Sequence, residues 1–171
     1  MNVVIRPEAA SDAGGIRAVL EAPFETALEA DLVELLRARG KALVSLVAEA
    51  EGRIVGHILF SPVSVASPKG TVTGAGLAPV AVLPPCQKQG IGSRLIREGL
   101  AACREADCPF VIVLGEPAYY QRFGFRRASD FGIRNEYGVD EEFMVIELWD
   151  GGLPSGGGLA KYAPEFAEVE P

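Results

Sequence analysis

Residues 77–100, LAPVAVLPPCQKQGIGSRLIREGL, constrain this chain more than any other stretch. An apolar, β-prone run over 77–83 is stopped by Pro84-Pro85. A short loop holding Gln87, Gly90 and Gly92 follows, and an amphipathic helical pattern opens at once. Strand, glycine turn and helix start together make a grip for phosphate. The N–H groups of a first helical turn have no intrahelical partner, and the helix dipole favours negative charge there. Glycine lets the backbone approach a ligand closely and adopt positive φ where that is required. The loop is expected to bind a phosphate.

What is missing narrows the choice. A P-loop needs Gly-Lys-Ser/Thr at the helix start, whereas Gly92 is followed by Ser93-Arg94. A dinucleotide fingerprint needs a third glycine three residues after Gly92, where Leu95 stands. Gly74-Ala75-Gly76 leads into a strand rather than a helix and reads as a turn.

The rest of the chain supplies an α/β setting. Val3, Val4 and Ile5 form a short strand ended by Arg6-Pro7, and Ser11 or Asp12 caps a helix carrying Ile16, Val19 and Leu20. After Pro23, Leu28, Leu32, Leu35 and Leu36 mark a second helix that runs to Gly40. Strands over 43–48 and 54–60 flank Glu51-Gly52 as a hairpin, and residues 62–70 read as a strand end and loop. Strand 77–83, helix 93–105 and strand 110–114 imply parallel neighbours joined by a right-handed crossover. A helical turn over 118–123 closes at Gly124, and a last apolar strand covers 143–148. The order β-α-α-β-β-β-α-β-α-β predicts one mixed sheet flanked by helices.

With 171 residues the chain suits a single domain, expected over 1–150. A glycine-rich extension over 151–171 keeps Leu159, Tyr162 and Phe166 as apolar anchors, so a loop plus a docked strand is expected there. No apolar run approaches a membrane span, and the start lacks a signal-peptide layout, so a cytoplasmic protein is expected. A net charge of −7 speaks against nucleic acid as a partner. Three cysteines and one histidine speak against a disulfide framework or a zinc site, so no metal is expected.

Two motifs carry a resemblance. Gln87-Lys88-Gln89-Gly90-Ile91-Gly92 follows a strand ending in Val82-Leu83-Pro84, and Tyr119-Tyr120-Gln121-Arg122-Phe123-Gly124-Phe125 follows strand 110–114. Together they resemble the coenzyme A loop and the Y-x-x-x-G-F signature of the GNAT N-acetyltransferases. Leu77-Ala78-Pro79-Val80-Ala81-Val82, Leu114-Gly115-Glu116-Pro117 and the run from Phe143 to Leu148 look closer still to the YhbS-like branch. The resemblance covers nearly the whole chain.

It implies the GNAT fold, with two parallel strands splayed apart, and transfer of an acetyl group from acetyl-CoA to an amine. Pro79 suits the bulge that drives the splay, because proline cannot donate in a regular central ladder. By the same resemblance, backbone groups of Ala81, Val82 and Leu83 hold the pantetheine arm, and Gln87, Lys88, Gln89, Gly90, Ile91, Gly92 and Ser93 hold the pyrophosphate. The Val82 amide would polarise the thioester carbonyl, and Tyr120 would protonate the leaving sulfur.

Other residues have plainer readings beside functional ones. Glu25, Glu29 and Glu116 are candidates on the acceptor side, the first two for holding a cationic amine and Glu116 as the nearest general base, although helix starts explain them as well. His57 reads as a satisfied sheet histidine, Cys86 as a bystander thiol, and water as the route for amine deprotonation. A non-catalytic acyl-CoA sensor and a transferase of longer acyl groups remain alternatives. The 143–148 strand and the glycine-rich tail are candidates for pairing with a second copy in a two-fold homodimer.

Overall fold

The structure is a computed structural model and describes residues 2–24 and 26–169. Strand β1 (Val3–Pro7) leads through a 3-10 turn into helices α1 (Ala13–Phe24) and α2 (Leu28–Ala38). A meander of β2 (Val44–Ala50), β3 (Arg53–Ser67) and β4 (Gly70–Val82) follows. Helix α3 (Ile91–Glu105), β5 (Phe110–Leu114) and the one-turn α4 (Pro117–Tyr120) come next. Two short strands, β6 (Arg126–Arg127) and β7 (Ile133–Arg134), precede β8 (Phe143–Glu147), β9 (Gly158–Tyr162) and α5 (Glu165–Glu168). Among the described residues, nine strands join one mixed sheet in the order β1-β2-β3-β4-β5-β8-β6, with β9 paired to both β3 and β7. Among the described residues, no helix is long and apolar enough to cross a membrane.

The pairing that matters for function is β4 with β5, the parallel contact flanking α3. It holds at only two positions, Ala75 with Val111 and Gly76 with Ile112. β4 nevertheless stays paired to β3 as far as Val82. Beyond Gly76, then, β4 and β5 part, and the sheet opens as a V. Within the open arm the β3–β4 register shifts: Val80 faces Ile58 and Leu77 faces Phe60, so Ala78 and Pro79 stand against Leu59 alone. Two residues against one is a bulge, which bends the strand and raises its twist.

The two sides of the sheet carry different cores. Buried Leu95, Ile96 and Leu100 of α3 join Phe60, Ala75 and Leu77 in the larger apolar cluster. A smaller cluster gathers Val63, Val65, Phe110, Ile112 and Phe143. The alternation of β3 sends Phe60 to one face and Val63 to the other.

Three local expectations need correction. Residues 62–70 are not a strand end and loop: β3 continues through Pro62 to Ser67 and turns straight into β4. Pro62 is tolerated because it falls between the last β2 partner, Phe60, and the first β9 partner, Val63. Gly74-Ala75-Gly76 is not a turn but strand interior. A Cβ on Gly74 would lie 2.7 Å from the Phe110 ring, and one on Gly76 would lie 2.6 Å from Tyr162, so absent side chains make room for rings from elsewhere. Asp12 does not begin α1 as a simple cap; its carboxylate accepts from the Ala9 N–H at 2.7 Å and from Arg6.

β8 pairs with β5 along one edge and, at Met144 and Val145, with β6 on the other, while β9 lies between β3 and β7.

Candidate active site

Val82 stands where the open arm of the V meets the glycine loop. The Leu83 N–H donates to the Val55 carbonyl at 2.9 Å, and Ala81 lies opposite His57. In an antiparallel ladder such groups alternate in direction. Ala81 and Leu83 therefore spend their backbone on β3, and Val82 directs its amide and carbonyl toward the edge that β5 has left. Its carbonyl accepts from Gln87 Nε2 at 3.0 Å.

The loop is built by two prolines and two residues of positive φ. Pro84 and Pro85 begin a 3-10 turn, Lys88 has φ 63° and Gly90, at the start of α3, has φ 83°. The Gly90 carbonyl takes the first helical bond, from the Arg94 N–H at 3.1 Å. The N–H groups of Ile91, Gly92 and Ser93 then belong to the turn that has no carbonyl behind it. They open on a cavity of about 420 Å³ also lined by Val82, Cys86, Gln87, Lys88, Tyr119 and Arg122. Gly90 and Gly92 serve different ends. A Cβ at Gly90 would meet nothing within 4 Å, so its positive φ is what asks for glycine. Gly92 forms the cavity floor, where a Cβ would already lie 3.5 Å from Tyr119 Oη and 3.9 Å from Val82 Cγ2.

Positive charge reaches this cavity from Lys88 and Arg122. The Arg122 guanidinium stacks 5.2 Å from the Tyr119 ring centroid, and Arg97 lies 5.0 Å from that of Phe123. Ring faces hold both guanidinium groups in place.

Tyr120 is not among the residues lining this cavity; it is 9% exposed and lies behind Tyr119, edge-on to Tyr119 and Phe125. Gly115 at the end of β5 makes space for it, since a Cβ there would collide with its ring. Burial first, and then the neighbouring Tyr119, push its hydroxyl pKa up to about 12. It is a phenol, not a phenolate, at neutral pH.

The remaining sequence candidates are placed as follows. Gln89 folds back on its own loop, with Nε2 3.4 Å from the Pro85 carbonyl. Glu116 begins α4 and accepts from the Ala118 N–H at 3.4 Å. Glu29 accepts from Thr26 Oγ1 at 3.1 Å on the surface of α2, away from the cavity lining; Glu25 lies outside the described residues. His57 is fully buried with Nε2 2.9 Å from Ser45 Oγ. Burial, aided by the charge of Arg37, lowers its pKa to about 3, so it is a neutral imidazole. Tyr119 and Arg122, which the Tyr119–Phe125 motif contains without assigning them to the coenzyme, line the cavity.

Comparison with known proteins agrees with this geometry. The sequence profile described as "Acetyltransferase (GNAT) domain" matches residues 4–128. The uncharacterized N-acetyltransferase YhbS of Escherichia coli K12 is 38% identical over 166 residues, which is 96% of this chain and 98% of YhbS. This chain belongs to the GNAT acetyltransferase family. The crystal structure of E. coli YhbS in complex with CoA superposes with a TM-score of 0.90 at 37% identity, covering 98% of this chain and 93% of that one. A GNAT acetyltransferase from Brucella melitensis in complex with acetyl-CoA gives 0.80, also at 37% identity, over 96% of this chain and 98% of its own. The splayed sheet and glycine loop are thus the GNAT fold, seen here with nine strands.

Proposed function

We propose that this GNAT protein transfers an acetyl group from acetyl-CoA to the primary amine of a small molecule or peptide. One observation carries the reading: the sheet opens beyond Gly76, and the glycine-loop cavity adjoins the open arm at Val82. The two relatives solved with CoA and acetyl-CoA support the choice of co-substrate.

In this reading the pyrophosphate rests on the N–H groups of Ile91, Gly92 and Ser93, with Lys88 and Arg122 supplying countercharge. The pantetheine arm runs beside Val82 as an added strand would. The Val82 N–H donates to the thioester carbonyl oxygen and strengthens that bond as the oxygen becomes an anion. The amine lone pair attacks the carbonyl carbon to give a tetrahedral intermediate. The C–S bond then breaks, the sulfur takes a proton from the Tyr120 hydroxyl, and the new amide's surplus proton passes through water to restore the Tyr120 phenol. Tyr120 suits the acid role because burial keeps it protonated across neutral pH.

The test is thiol release from acetyl-CoA against a panel of primary amines, with mass spectrometry of the products. Saturable release with an acetylated product supports the reading. Tight acetyl-CoA binding with no release for any amine class would reject it in favour of a sensor.

A further inference from the structure

Tyr162, from the glycine-rich tail, closes the V on the face opposite α3. Phe60 packs on α3 at Gly99, whereas a Cβ on Gly76 would meet Val63 Cγ2 and Tyr162 Cε1, each at 2.6 Å. The Tyr162 ring therefore covers the last β4 residue that still pairs with β5, on the side away from the glycine loop. Its hydroxyl lies deep. Burial, then Tyr137 and Tyr120, raise its pKa above the ordinary tyrosine value. Directly across the strand from Gly76 stands Ser61, fully buried, whose Oγ has no hydrogen-bond partner among the described residues.

Outward from Tyr162 runs a cavity of about 330 Å³. Its walls are aromatic: the Tyr162 centroid lies 5.8 Å from that of Tyr137 and 5.0 Å from that of Phe166. Glu136 and Lys161 line it too, 4.0 Å apart, so their charges offset one another. A polycation finds no surplus carboxylate here, whereas an apolar body finds three rings, one of which, Tyr162, also lies against Gly76 at the vertex of the V.

We propose that this cavity is the acceptor site, and that it takes a small primary amine with an aromatic or otherwise apolar body, entering from the face opposite the coenzyme. The proposal rests on the acetyltransferase reading above and names its substrate class.

The test uses the full chain loaded with CoA and 2-phenylethylamine as the probe, with spermidine as the polycationic comparison. Binding is read by saturation-transfer NMR and turnover by thiol release from acetyl-CoA. The expected result is saturable 2-phenylethylamine binding and acetylation at lower KM than spermidine. Phe166→Ala and Tyr137→Ala should each raise that KM roughly tenfold while acetyl-CoA affinity holds. Tyr137 is 45% exposed, so its variant keeps the test alive if Phe166→Ala fails to fold. Spermidine binding or turning over better, no 2-phenylethylamine binding, or an unchanged KM in a folded variant overturns the proposal. Loss of acetyl-CoA binding itself would instead overturn the underlying function.

Discussion

Gln87 Nε2 donates to the Val82 carbonyl at 3.0 Å, tying the glycine loop to the last residue of the open strand arm. One bond thus couples the segment assigned to pyrophosphate and the segment assigned to the acyl arm. The bond is solvent-exposed, so it adds little to fold stability and more to the registry of the two segments. Gln87→Ala should leave thermal stability nearly unchanged and weaken acetyl-CoA by about 3- to 10-fold, the worth of one net hydrogen bond. Calorimetric affinity equal to wild type would show that the loop holds its own geometry.

Tyr119 and Tyr120 are adjacent, yet their hydroxyls are assigned to different steps. Tyr120→Phe keeps the ring and should lower kcat by ~10²–10⁴-fold with acetyl-CoA affinity intact, as expected when a positioned proton donor is lost. Tyr119 Oη would stand 3.5 Å from a Cβ on Gly92, in the cavity assigned to the coenzyme, so Tyr119→Phe should weaken acetyl-CoA and spare kcat. The opposite split in steady-state kinetics would move the acid role to Tyr119.

The same acid makes a pH prediction. Its pKa is raised to about 12, so the donor stays protonated through the alkaline range where an ordinary tyrosine ionises near 10. The kcat profile should therefore show no loss of activity assignable to Tyr120 below about pH 11. A fall near pH 10 in wild type, absent in Tyr120→Phe, would contradict the assignment.

Glu165 anchors the tail that carries Tyr162 and Phe166. It is 2% exposed and accepts from Lys41 Nζ at 2.8 Å and Arg39 Nη1 at 3.1 Å. The bond from Lys41, foremost, lowers its pKa from 4.5 to about 2. A folded value below the unfolded one means the stabilisation is fully present above about pH 4.5 and lost as pH falls through about 2. Glu165→Gln should lower Tm at neutral pH, and the gap from wild type should close on acidification. A gap unaffected by pH between 6 and 2 would show that charge at Glu165 does not matter.

Features written in consecutive residues were readable from the sequence. Pro84-Pro85 and Gly90 announce a strand end, a loop and a helix start because each acts on its own backbone. The hairpin at Glu51-Gly52 is of the same kind, with φ of 53° and 76°. What stayed hidden depends on partners far along the chain. Gly74 and Gly76 look like a turn until Phe110 and Tyr162 are laid against them. Pro62 looks like a strand end until the gap between β2 and β9 is known. The two-residue strands β6 and β7 are too short to show any period. At the site, the meeting of Tyr119 and Gly92 joins two elements on different sides of β5, and no local pattern marks it.

The central claim is that acetyl-CoA binds in the cavity floored by Gly92, and titration calorimetry of acetyl-CoA against three proteins tests it most directly. Wild type should bind saturably. Gly92→Ala should bind nearly as well, since its Cβ meets Tyr119 Oη only at an ordinary 3.5 Å contact. Gly92→Val adds methyl groups where Tyr119, Val82 and the phosphate converge, and should lose roughly tenfold or more while remaining folded. Unchanged affinity in a folded Gly92→Val protein, or no binding by wild type, would contradict the account.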